Sequence, residues 1–137
     1  MLKYIITYLG TGLAFAAIDF VWLAWLSARV YRPTLDPVLA DKVNLTAAVI
    51  FYLVYVLGVV GLAVVPAGRE GSWKKAALTG AALGAFAYAT YDLTNQATLK
   101  VWATSITVAD ITWGTFLTGT AAAVGFFIWR WAAKTFG

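Results

Sequence analysis

Three aspartates of this sequence lie inside apolar stretches, where a charged carboxylate is unfavourable. They are Asp19 in AFAAIDFVWLAW, Asp92 in YATYDLTNQ and Asp110 in VADITWG. A carboxylate in a membrane-spanning helix costs about 3 kcal/mol on insertion scales, so such residues normally face a bundle interior and mark ion paths, proton relays or ligand sites. The chemistry they offer is the acceptance of protons or cations.

Tyrosines and asparagines accompany the aspartates at helical spacing. In the stretch around Asp92, two tyrosines and an asparagine recur every three or four residues, which places all four side chains on one helix face. An earlier apolar stretch has one asparagine and two tyrosines in a similar pattern. These two stripes consist of Tyr88, Tyr91, Asp92 and Asn95, and of Asn44, Tyr52 and Tyr55.

The other two aspartates share a short motif with tryptophan. Asp19 precedes Trp22 and Asp110 precedes Trp113 by three residues, so each acid and its indole lie one helical turn apart on one face. The repeated Asp-x-x-Trp spelling is explained either by an internal repeat, as in many transporters, or by coincidence in a chain with seven tryptophans. Both explanations remain open.

The composition identifies a membrane protein. Hydrophobic residues make up 62% of the 137 residues and charged residues 12%, against roughly 45 to 50% and about 25% in soluble domains. Cysteine and histidine are absent, which excludes disulfides, thiolate zinc, iron-sulfur clusters and histidine-based acid-base chemistry. No cofactor, no metal and no nucleic-acid partner is predicted, and the basic helix ends suit anionic lipid headgroups. A Ca²⁺ or Mg²⁺ site built from the three carboxylates and two amides is a less favoured alternative, since hard cations take oxygen ligands.

Four apolar stretches predict an all-α, integral membrane four-helix bundle that forms a single domain over residues 1–137. The predicted spans are about 4–27, 44–65, 76–99 and 106–129, each near the ~20 residues that cross a bilayer. Four spans put both termini on one side, and the excess of Lys and Arg there predicts that this side is cytoplasmic. The basic residues on that side are Lys3, Arg69, Lys74, Lys75, Arg130 and Lys134, against Arg29, Arg32, Lys42 and Lys100 on the other.

The three aspartates are predicted to share one depth in the outer half of the membrane. At about 1.5 Å rise per residue, Asp19, Asp92 and Asp110 lie roughly 15, 12 and 9 Å from the same surface. We therefore expect one acidic and aromatic pocket that opens outward. A polar residue can also be a simple interhelical hydrogen bond, and this is the simpler reading for each single Asn or Tyr. The predicted site comprises Asp19, Asp92, Asp110, Asn44, Asn95, Trp22, Trp113, Tyr52, Tyr55, Tyr88 and Tyr91.

Gly80 and Gly84 form a Gly-x-x-x-Gly pattern on the face that continues into Tyr88 and Asp92. Small residues at this spacing let another helix come close. Packing inside the bundle is the first interpretation and dimerisation the second.

The segments IDFVWL, FYLVYVLG, AVVPA, GAALGAFAYATYDLTNQATL and VADITWG together resemble a family of small bacterial inner-membrane proteins known as domain of unknown function 2177. The resemblance covers nearly the whole chain and implies a multi-pass protein of the bacterial inner membrane. It implies no activity, and its association with lipid-modifying genes hints at lipid metabolism. The residues that match the family pattern are Asp19, Trp22, Asp92, Asn95, Asp110 and Trp113.

The leading functional hypothesis is a pocket that binds a small cationic or amphiphilic ligand in exchange for protons. Transport of this ligand by a dimer is an extension of the hypothesis. The partners are then membrane lipids, the ligand and a second copy of the chain. The alternatives are an accessory or enzymatic subunit in lipid or fatty-acid modification and a structural subunit of a larger complex. Catalysis is the weaker alternative because no nucleophile has a recognisable activating partner.

Overall fold

The computed structural model describes residues 1–137 and contains helices and connections but no strand. This confirms the all-α prediction. The helices are α1 (Leu2–Trp25), α2 (Ser27–Val30), α3 (Arg32–Leu35), a 3₁₀ turn (Asp36–Val38), α4 (Leu45–Val59), a π-helical segment (Val60–Val64), α5 (Val65–Glu70), α6 (Trp73–Thr98) and α7 (Thr104–Phe136).

Three helices are long and apolar enough to cross a membrane. They are Leu2–Trp25, the continuous helix Leu45–Glu70 that joins α4 to α5, and Thr104–Phe136. The helix α6 has 26 residues, which is a sufficient length, but its polar side chains keep it outside this group. A multi-pass membrane protein is therefore supported, whereas the crossing by α6 stays a prediction.

The second helix extends beyond its predicted end near residue 65, because the chain passes through Pro66 without stopping. Proline lacks an N–H and its ring clashes with the carbonyl four residues earlier. The π-helical segment widens the helix immediately before Pro66, and the Val65 N–H donates to the Val60 carbonyl. The connection between the predicted spans 44–65 and 76–99 is confined to Gly71, which has φ +75°, and Ser72, which caps α6.

The connection between α1 and α4 is partly helical, although its prolines and charges predict a polar loop. It contains α2, α3 and the 3₁₀ turn, and Leu35 is buried. This connection folds back over the ends of α1 and α7, since α2 contacts both helices. It thereby brings side chains from outside the predicted spans to the bundle.

The helix α7 lies at the centre of the fold. It packs along α6 and along α1, while α4 packs on α1. The second apolar helix contacts α6 through its π-helical segment and α5. One core cluster joins Phe15, Val56, Val60, Leu117 and Ala121. The helix α4 itself has little contact with α6, which leaves space between these two helices.

Gly80 and Gly84 lie where α6 meets α7. A Cβ atom at Gly80 would lie 2.5 Å from the Ala122 Cβ, and one at Gly84 would lie 2.7 Å from the Thr118 Oγ1 and collide with the Gly114 carbonyl. Such distances require a backbone shift. The close approach that these glycines allow occurs within one chain, so this face is already covered.

Candidate functional site

The Asp19 carboxylate joins three helices through hydrogen bonds. The Tyr52 hydroxyl from α4 donates to Oδ2, and the Trp113 indole from α7 donates to Oδ1 at 3.1 Å. Asp19 is buried, and both its oxygens have a donor. Its buried charge is therefore stabilised by the protein itself.

The Asp110 carboxylate receives its hydrogen bond from the connection outside the spans. The Tyr31 hydroxyl donates to Asp110 Oδ1 and accepts from the Trp22 indole at 2.9 Å. Burial and the hydrogen bond to the Asp110 carboxylate raise the pKa of Tyr31. Tyr31 thus remains a neutral donor at physiological pH.

The tryptophan of each Asp-x-x-Trp motif is linked by hydrogen bonds to the aspartate of the other motif. Trp113 donates to Asp19, and Trp22 reaches Asp110 through the Tyr31 hydroxyl. The two indole rings stack with centroids 4.7 Å apart and planes 15° from parallel. Because α1 and α7 run antiparallel in these contacts, the arrangement has an approximate two-fold relation.

Asp92 differs from the other two aspartates in having no donor. It is fully buried, and neither carboxylate oxygen has a hydrogen-bond partner. Its neighbour within hydrogen-bonding distance is the Asp110 carboxyl group, which when ionised is also only an acceptor. The ion pairs of the chain, Arg32 with Asp36 and Lys75 with Glu70, lie elsewhere. A proton or a cation is therefore needed between the two carboxyl groups.

A cavity of about 340 Å³ lies between α4 and α6, with Asp110 in its wall. Its other lining residues are Phe51, Tyr55, Ala87, Tyr88 and Tyr91. Phe51 and Tyr91 are 46% and 62% exposed, so the cavity opens on the outer surface between the two helices. One acidic group thus faces a pocket that is otherwise aromatic and apolar.

Two tyrosines of the cavity are positioned by α7. The Tyr55 hydroxyl forms a hydrogen bond of 2.9 Å with Thr118 Oγ1. The Tyr88 ring packs against Gly114, where a Cβ atom would lie 2.6 Å from Tyr88 Cε2. The Tyr88 hydroxyl lies near the charges of Asp19 and Asp110, and it makes no hydrogen bond within the chain.

The two predicted amides make no hydrogen bond with the three aspartates. Asn44 is exposed, and its Oδ1 accepts from the Ala47 N–H at 3.1 Å as the N-cap of α4. The capping role explains its position, since an asparagine at this position satisfies a free N–H of the first turn. Asn95 is half-buried one turn beyond Asp92, and its side chain makes no hydrogen bond within the chain.

The acidic residues do not form a metal-binding group by proximity. No set of three Asp or Glu side chains lies close enough to hold a metal ion. Tyr52 and Trp113 donate to the two oxygens of Asp19. The three aspartates therefore comprise one carboxylate with two donors and one pair in which Asp92 has none.

Tyr31 is the residue of this cluster that the sequence did not indicate. It lies in the polar connection, outside any periodic apolar stretch. Only the contact of α2 with α7 brings its hydroxyl to Asp110. Thr118, the partner of Tyr55, was missed because a threonine among small α7 residues resembles ordinary packing.

The fold and the buried carboxylates define an all-helical, multi-pass membrane protein with a polar interior. Residues 4–127 match the family described as "Predicted membrane protein (DUF2177)", and the chain belongs to this family. The resemblance noted in the sequence is thus confirmed. No curated protein and no solved structure matches the chain.

Proposed function

We propose that the chain binds a small cationic or amphiphilic ligand at Asp110 and exchanges it for a proton held with Asp92. The observation that carries this proposal is the Asp92–Asp110 pair beside an aromatic cavity. A purely structural role for hydrogen bonds does not require a second acid that has no donor. Binding of a proton or a cation does require such an acid. Tyr55, Tyr88 and Tyr91 form walls of the cavity. Trp22, Trp113 and Tyr52 position the aspartates through hydrogen bonds.

The exchange follows from the charge of the pair. Two adjacent buried carboxylates repel each other, so a shared proton stabilises the pair without a ligand. A ligand cation at Asp110 supplies that positive charge instead, and the proton is released. Binding of one monovalent cation with release of one proton keeps the net charge of the buried site unchanged.

We further propose that α6 is a fourth span and that the chain is one domain with both termini in the cytoplasm of a bacterium. Its 26 residues and its packing along α7 support a crossing, and the larger number of basic residues near the termini supports this orientation. Transport through four short spans would require a second copy of the chain. An accessory role in lipid modification or in a larger complex is the alternative.

The test is proton release by the purified protein in weakly buffered detergent solution. Lipophilic ammonium ions are added to wild type, Asp92→Asn and the control Asp41→Asn, whose aspartate is exposed. We expect about one proton per bound ligand for wild type and the control, and none for Asp92→Asn. Equal release by all three proteins, or binding without release, would contradict the proposed exchange.

A further inference from the structure

We infer that the ligand head is an ammonium group with N–H donors, carried by an apolar chain that leaves the protein between α4 and α6. This inference rests on the proposed function and names the ligand class of the same site. A primary alkylammonium ion fits it, whereas a quaternary ammonium ion of equal charge does not.

The head chemistry follows from two polar groups in the lining of the cavity. Asp110 offers a carboxylate whose Oδ2 has no donor among the protein's hydrogen bonds. Tyr88 offers a hydroxyl that makes no hydrogen bond within the chain. Both groups can accept a hydrogen bond from a ligand. An alkylammonium ion supplies three N–H donors together with the positive charge, whereas a quaternary ion supplies charge alone.

Aromatic rings also recognise quaternary ammonium ions, by cation–π contact on several sides. Two of the four aromatic rings of this cavity cover each other. Phe51 and Tyr55 stack with centroids 5.3 Å apart and planes 25° from parallel, so one face of each ring is not available to a cation. The Asp110 side chain lines the same cavity. This arrangement suits an apolar body beside the rings and a hydrogen-bonding head at Asp110.

The exposed residues that line the cavity indicate where the apolar chain of the ligand leaves the protein. Phe51 and Tyr91 are partly exposed on the outer surfaces of α4 and α6, where a bilayer would surround a spanning helix. A cavity of about 340 Å³ is at the small end of ligand pockets. It therefore holds a head and a short segment, and a longer chain extends into lipid.

The experiment compares three probes of equal chain length, hexylammonium, hexyltrimethylammonium and hexanol, by calorimetry and proton release with the full chain in detergent. Equal chain length and equal charge make the partitioning of the two cations into micelles similar. We expect hexylammonium to bind at least about tenfold more tightly than the quaternary ion, as one lost hydrogen bond to a charged group predicts. Hexanol, which lacks the charge, is expected to bind weakly.

Tyr88→Phe removes the hydroxyl and keeps the ring. This variant should reduce the ratio of the affinities for hexylammonium and hexyltrimethylammonium about threefold or more. Tyr4→Phe is the matched control, because Tyr4 packs on Trp129 at the opposite end of the bundle. Equal or tighter binding of the quaternary ion, still with proton release, would overturn the inference and leave the proposed function standing. Absence of binding and of proton release with every probe would overturn both.

Discussion

Replacing Asp92 or Asp19 by asparagine is expected to change the stability of the protein in opposite directions. In Asp92→Asn, the new amide supplies an N–H donor next to Asp110 at every pH, whereas the native carboxyl group donates only after it has taken up the shared proton, which is unfavourable for a carboxylic acid at neutral pH. In Asp19→Asn, the new NH₂ group must face Tyr52 or Trp113, which both donate to the native carboxylate. One variant therefore relieves a conflict and the other creates one.

The expected magnitudes follow from the partners. A hydrogen bond to a charged group contributes about 1.5 to 3 kcal/mol, so Asp92→Asn should stabilise the fold by about 1 to 3 kcal/mol. A buried donor left without an acceptor costs about 1 to 3 kcal/mol, which is the expected loss for Asp19→Asn. Stabilisation together with lost proton release is typical of a residue whose strain serves function.

The assay is unfolding of the purified variants by a denaturing detergent, followed by circular dichroism. The exposed Asp41→Asn is the control and should lie within about 0.5 kcal/mol of wild type. Destabilisation of Asp92→Asn by more than about 1 kcal/mol would show that Asp92 has donors that hold it in place. Equal losses in both aspartate variants would likewise refute the distinction between a satisfied and an unsatisfied acid.

Three further predictions concern packing, the connection and the topology. Gly84→Ala should destabilise the fold by about 1 to 3 kcal/mol through overpacking against α7, whereas Gly58→Ala, which meets nothing within 4 Å, should be neutral or slightly stabilising in the same unfolding assay. Tyr31→Phe should destabilise the fold by about 1 to 3 kcal/mol. Burial raises the pKa of Tyr31, so the wild-type protein should lose stability above about pH 10, where the phenol ionises in the unfolded chain. The variant lacks this phenol and should lose less stability over the same pH range. The crossing of the membrane by α6 can be tested with the single-cysteine variants Lys74→Cys and Lys100→Cys, since the chain has no native cysteine. If α6 crosses, the two cysteines should react with an impermeant thiol reagent from opposite sides of the membrane. Labelling of both from the same side would contradict the crossing.

The sequence predicted the helical architecture because long apolar stretches and helical periodicity are local properties. It also indicated the buried acids, since a carboxylate in an apolar stretch is unusual wherever the stretch packs. The sequence could not predict that Asp19 is satisfied and Asp92 is not, because that depends on which donors the other helices bring. Asn44 was assigned to the pocket from its spacing, although its position just before an apolar helix equally fits a cap.

The extension of the second helix through Pro66 was missed for a related reason. Proline and two glycines in succession are typical of a turn, and only the widened segment before Pro66 lets the helix continue. The role of Tyr31 could not be predicted either, because it depends on a contact between residues far apart in the sequence. Its role depends on the folding of the connection over α7, which no periodic pattern encodes.

Asp19 has hydrogen-bond donors and Asp92 has none, so the helices that carry these two acids have different roles. The antiparallel pair α1 and α7 is held by reciprocal Asp–Trp contacts and stacked indoles, so it forms an approximately symmetrical scaffold. The helix α6 breaks this symmetry by placing Asp92 and Tyr88 against it without matching donors. The polar residues that make α6 the least apolar of the long helices are therefore the ones that a ligand site requires. A search for spans by hydropathy alone passes over the helix that carries the function we propose.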